Sequence, residues 1–155
     1  MKNLLEEEYV LSRMATGDFD QAKRSLLMVK RYKRPEVIIA LIKDAIISYS
    51  RPFSSNRGGF RKKKLKIGND VIPNDQRKFH NKILMIRNNL VAHTNLKYRN
   101  PKLVKVNEPP LNYPISYKSF YYEDLLELVE PLIELIEAVK SNTYEKIRSI
   151  ENNHF

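Results

Sequence analysis

The 155-residue sequence predicts an all-α fold: an antiparallel bundle of four to five helices with a long basic loop and a proline-rich connection. Three observations predict it. Apolar residues recur at helical spacing along the chain, most regularly in its last stretch. Residues suited to helix starts, namely Asp18, Pro35 and Asn74, stand just ahead of such runs. Breakers separate the runs, among them Gly17, Pro52 and a group of prolines beyond position 100.

A first amphipathic helix is expected from Leu4 to Met14, ended by Thr16-Gly17. Asp18 with Gln21 three residues later resembles a capping box for a second helix running to about Tyr32. Pro35 suits the first turn of a third, whose Val37, Ile38, Leu41, Ile42, Ala45 and Ile46 repeat at helical spacing up to Tyr49 before Pro52 stops it. The segment holding Arg57, Gly58, Gly59 and the following lysines reads as a loop. Ile67 to Pro73 is turn chemistry without the spacing of a phosphate-binding loop. Asn74 can cap a fourth helix from Asp75 to about Ala92, with Phe79, Ile83, Ile86 and Leu90 on one stripe. Asn100 to Ser119 contains Pro101, Pro109, Pro110 and Pro114 and reads as a connection, with a small hairpin from Val104 to Tyr117. Tyr122 to about Ile150 closes the chain as one helix kinked at Pro131. No internal repeat interrupts this order, and a chain of this size buries roughly 70% of its unfolded surface around one core, so residues 1–155 are expected to form a single domain.

Composition narrows the function classes. No apolar run approaches the ~20 residues of a membrane helix and the N-terminus lacks a signal-peptide apolar region, which predicts a cytoplasmic protein without a membrane partner. Cysteine is absent, and His80, His93 and His154 show no metal-ligand spacing, so neither a metal nor another cofactor is expected. A formal charge of +10 and a pI near 9.7 point to a polyanionic partner, best matched by nucleic acid. Arg57, Arg61, Lys62, Lys63, Lys64 and Lys66 can neutralise phosphates, and Phe60 among them can stack on an unpaired base. The alternative is a solvated loop that keeps the protein soluble.

The chemistry concentrates in Arg87-Asn88-Asn89-Leu90-Val91-Ala92-His93, at the end of the fourth predicted helix. Arginine holds a phosphate through two parallel hydrogen bonds, and histidine moves protons near neutrality. RNA cleavage uses both. Six residues of ideal helix turn through ~600°, leaving Arg87 and His93 about 120° apart, so either the helix unwinds before His93 or two chains share the site. A helix C-terminus favours imidazolium and would raise the pKa of His93, suiting it to general-acid work. Two further residues are candidates for phosphate contact. Arg51 ends the third helix and can reach the site from a second element, or cap carbonyls. His80, one heptad before Arg87, shares its face, or is a helix-surface histidine. The structural alternative for Arg87 is an ion pair with Glu123 or Asp124.

An arginine, a polar residue beside it and then a histidine, late in a helix of an all-helical domain, resembles the HEPN superfamily. Arg87, Asn88 and His93 match that motif, and the spacing between Arg87 and His93 falls within the family's range. The resemblance implies a homodimer whose two motifs meet across the interface and cleave RNA without metal, leaving a cyclic phosphate. His93 would be the general base or acid, Arg87 would stabilise the phosphorane and Asn88 would orient one of them. The family includes toxins held by an antitoxin protein, phage-defence effectors, and members that bind RNA or nucleotides without cutting. Two other readings stand beside a ribonuclease: a non-catalytic RNA- or nucleotide-binding module, and a dimeric interaction or scaffold protein whose long last helix supplies the dimer face.

Overall fold

The computed structural model describes residues 2–54, 66–91, 96–107, 114–117 and 122–154. Helix dominates them. In chain order the helices are α1 (Lys2–Val29), α2 (Pro35–Ser50), α3 (Arg77–Ile86), α4 (Leu96–Arg99), α5 (Tyr122–Leu126) and α6 (Val129–His154), of which α4 and α5 are about one turn each. The strands among the described residues, β1 (Lys102–Leu103) and β2 (Ile115–Ser116), pair antiparallel with Lys102 opposite Ser116 and Leu103 opposite Ile115. The fold is all-α, and among the described residues no helix is long and apolar enough to cross a membrane.

α1 is one helix where the sequence predicts two. Glycine inside a helix costs about 1 kcal/mol relative to alanine. That cost is outweighed here because Ala15, Phe19, Ala22, Leu26 and Val29 form one buried stripe that passes Gly17 without a break, and each fully buried large apolar side chain contributes about 1.5–3 kcal/mol. Asp18 is therefore not a cap. It forms an ion pair with Arg51, at the far end of α2.

The polar partners of α1 fix the direction of its neighbours. Glu8 pairs with Lys146 (2.7 Å), Asp20 with Lys140, Lys23 with Glu137 (2.6 Å) and Lys30 with Glu130 (2.7 Å), so numbers rise along α1 as they fall along α6. Asp18 pairs with Arg51, and Ser25 Oγ donates to Asp44 Oδ2 (2.6 Å), which sets α2 antiparallel to α1 as well. Behind these polar edges Phe19, Leu26, Ile42, Ile46, Leu132, Leu135 and Ile136 are fully buried, and Ile83 of α3 joins the same core.

α2 covers the predicted span and passes into a 3₁₀ turn, Arg51–Phe53, in which Pro52 and Phe53 are buried. The Ile67 amide donates to the Pro52 carbonyl (2.9 Å), and Ile67, Val71 and Ile72 are buried against the core before α3 begins. Asn74 makes no side-chain cap bond. It opens a 3₁₀ turn, Asn74–Gln76, and α3 starts at Arg77, two residues later than predicted.

The last helix is broken rather than kinked. The chain turns at 127–128, with Leu125 of α5, Leu128 of the turn and Leu132 of α6 all buried. Pro131 then falls in the first turn of α6, where its missing N–H has no helical acceptor to lose. The strand pairing in the proline-rich connection starts two residues earlier than expected and ends one earlier, at Ser116. Asn100, with φ 44°, closes α4 in the left-handed region that asparagine tolerates, and Pro101 prevents the helix from continuing.

Candidate nucleic-acid site

Arg87 sits where α3 changes geometry. The Arg87 amide still reaches back to the carbonyls of Ile83 and Leu84, but residues Arg87–Val91 follow as a π-helical turn with i→i+5 bonding. Such wide turns recur at functional sites because they re-aim side chains that a regular helix would direct elsewhere. The helix widens over 87–91 without unwinding, and His93 itself lies outside the described residues.

The guanidinium of Arg87 is half-buried, and its Nη1 donates to Oδ1 of the exposed Asn88 at 2.8 Å. Its Nε is buried with no hydrogen-bond partner among the described residues. Neither Glu123 nor Asp124 pairs with it, which removes the structural ion pair as an account of this arginine. An arginine steadied by a neutral amide, with no carboxylate competing for it, keeps its full charge for an incoming anion.

The other predicted contacts divide. Arg57, Phe60, Arg61, Lys62, Lys63 and Lys64 lie outside the described residues, and Lys66 is exposed. Arg51 is on the surface but engaged by Asp18, so its charge is partly neutralised where it stands.

His80 is a correction. It is 1% exposed, too deep for a surface phosphate, and Nδ1 is hydrogen-bonded to the Tyr49 hydroxyl at 2.7 Å. Phe53 meets its ring edge-on with centroids 4.6 Å apart. Burial pushes its pKa down to about 4 and holds the Tyr49 hydroxyl protonated, so His80 is a neutral member of the interior.

Sequence reasoning missed the outer face of α3. Arg77, Lys78, Asn81, Lys82 and Met85 are exposed on it, and a shallow open depression there is lined by Asp75, Lys78, Phe79, Asn81 and Lys82. Phe79 packs partly on the core and leaves the rest of its ring in the depression. The signal was available: cations at 77, 78 and 82 interleave with the buried positions 80, 83 and 86.

No family model matches the sequence, and no curated protein or solved structure matches it.

Proposed function

We propose that this chain is a metal-independent endoribonuclease of HEPN type. The observation that carries the reading is the Arg87–Asn88 pair, 2.8 Å apart on a π turn of an all-helical fold, with no carboxylate partner among the described residues. The chemistry is an internal transfer. The ribose 2′-oxygen attacks the adjacent phosphorus, its proton passes to a base, the 5′-oxygen of the next nucleotide leaves with a proton from an acid, and the product carries a 2′,3′-cyclic phosphate. Arg87 stabilises the charge that builds on the phosphorane oxygens, a role for which its fork geometry and freedom from acids suit it. Asn88 fixes the guanidinium, and His93 supplies the base or the acid. In this reading the working unit is a homodimer in which both copies contribute a motif. The protein acts as a toxin, controlled by an antitoxin protein, or as a phage-defence effector.

A non-catalytic RNA-binding module is the second reading, favoured by the exposed cations of α3, which need no histidine to bind phosphate. Purified wild-type and His93→Ala proteins incubated with labelled RNA in EDTA, and run in parallel on size-exclusion chromatography, separate the two. Cleavage by the wild type alone, from dimers of equal size, supports the ribonuclease. Binding by both proteins with cleavage by neither supports the module.

A further inference from the structure

The cations of this protein are not spread evenly. Residues 45–122 contain 16 Lys and Arg against 3 Asp and Glu, whereas the rest of the chain contains 12 against 15. The structure sharpens that contrast. Lys23, Lys30, Lys140 and Lys146 are each neutralised by a carboxylate across the α1–α6 seam. Arg77, Lys78 and Lys82 on α3 form no ion pair among the described residues. Three like charges on one helix, with Asp75 the one carboxylate lining the depression beside them, cost stability, and a polyanion laid along the face relieves it.

The spacing is regular. Arg77 and Asn81 lie one turn apart on α3, as do Lys78 and Lys82 beside them. The face covers about 8 Å along the helix, and the chain then runs on into the π turn where Asn88 accepts from Arg87. Arg77, Lys78 and Lys82 can hold phosphates along this face. Beside them, the exposed part of Phe79 offers an aromatic surface and Asn81 an amide with both donor and acceptor. A base can stack on that ring only when it is unpaired, so the face suits a single strand better than a duplex.

We infer that the outer face of α3 is a binding track for unpaired RNA, with Arg77, Lys78 and Lys82 on the phosphates and Phe79 and Asn81 on a base. The binding stands or falls independently of the ribonuclease reading.

The test uses the full chain carrying His93→Ala, which keeps the RNA intact, and a fluorescent unstructured RNA oligonucleotide followed by anisotropy from about 50 to about 300 mM salt. In that background Lys78→Glu with Lys82→Glu weakens binding about tenfold or more at low salt. It also lowers the log–log salt slope by about 1.4, since each contact to a single strand contributes about 0.7. The matched control, Arg31→Glu with Lys33→Glu, makes the same charge change at exposed residues between α1 and α2 and stays within about twofold. Phe79→Leu, which keeps an apolar side chain on the core, weakens the single strand but not a duplex of equal length. Equal losses in the two double variants would reduce the effect to net charge and overturn the track, as would no loss at Lys78 and Lys82. Tighter binding of the duplex by the starting protein would overturn its preference for unpaired RNA. A wild type that binds through this face yet never cuts removes the ribonuclease and leaves the track; one that cuts while the Lys78/Lys82 variant binds normally does the reverse.

Discussion

The Tyr49 hydroxyl and Nδ1 of His80 lie 2.7 Å apart in the interior, joining α2 to α3 with Phe53 packed edge-on against the imidazole. This contact anchors the helix that leads into Arg87, since α3 is only ten residues long and its other core contacts are Ile83 and Ile86, with Phe79 and Leu84 partly buried. It also makes stability depend on acidity. An unfolded histidine takes up its proton near pH 6.5, whereas burial holds His80 neutral down to about pH 4. The stabilisation from neutral His80 is therefore complete above about pH 6.5, is lost progressively as the pH falls towards about 4, and changes no further below that. Thermal midpoints measured across this interval should fall in the wild type and fall less in His80→Met. Equal slopes in the two proteins would exclude His80 as the source.

Removing the other partner has a different signature. Tyr49→Phe keeps the ring packing with Phe19 and Phe53 but leaves His80 Nδ1 buried and unpaired. Urea unfolding at neutral pH should show a loss of about 1–3 kcal/mol with an unchanged m-value. A loss below a few tenths would mean that the hydrogen bond is replaced.

Gly17 offers a gain. It lies inside α1, is exposed, and a Cβ added there meets nothing within 4 Å. Gly17→Ala should raise stability by about 0.5–1 kcal/mol, through helix propensity and a less flexible unfolded chain. A destabilised variant would argue that α1 is not continuous through this residue.

Asn88 is expected to act through Arg87. Asn88→Ala removes the amide that holds the guanidinium at 2.8 Å, and the turnover of bound RNA should drop about tenfold, the equivalent of one ordinary hydrogen bond, with little change in RNA affinity. A variant that loses affinity and keeps turnover would instead make Asn88 a binding contact.

The fold class, α2 and the turn chemistry before α3 were legible because local signals and the core agree: Pro35 does start α2 and Pro52 does lie where it ends. Gly17 and Pro131 misled for one reason. Each is a breaker by propensity, yet Gly17 is carried by a continuous buried stripe and Pro131 falls in a first turn, and both facts depend on packing that lies beyond the local sequence. His80 was misread because its partner, Tyr49, is 31 residues away and pairing across helices leaves no local trace. In the motif, Arg87 and Asn88 were legible by type, and the π turn that bears them leaves no mark in the local pattern. The α3 face went unread because its three cations are few and interleave with buried positions, unlike the conspicuous segment at 57–66.

The most direct measurement is the chemical identity of the RNA ends produced in EDTA by the wild type and by Arg87→Ala, which changes a side chain already half at the surface. The account predicts 2′,3′-cyclic phosphate and 5′-hydroxyl ends from the wild type, and a loss of at least about a hundredfold in rate from the variant, the scale of one charge-stabilising group. Intact RNA in both, products ending in a 3′-hydroxyl, or full activity without Arg87 would contradict it.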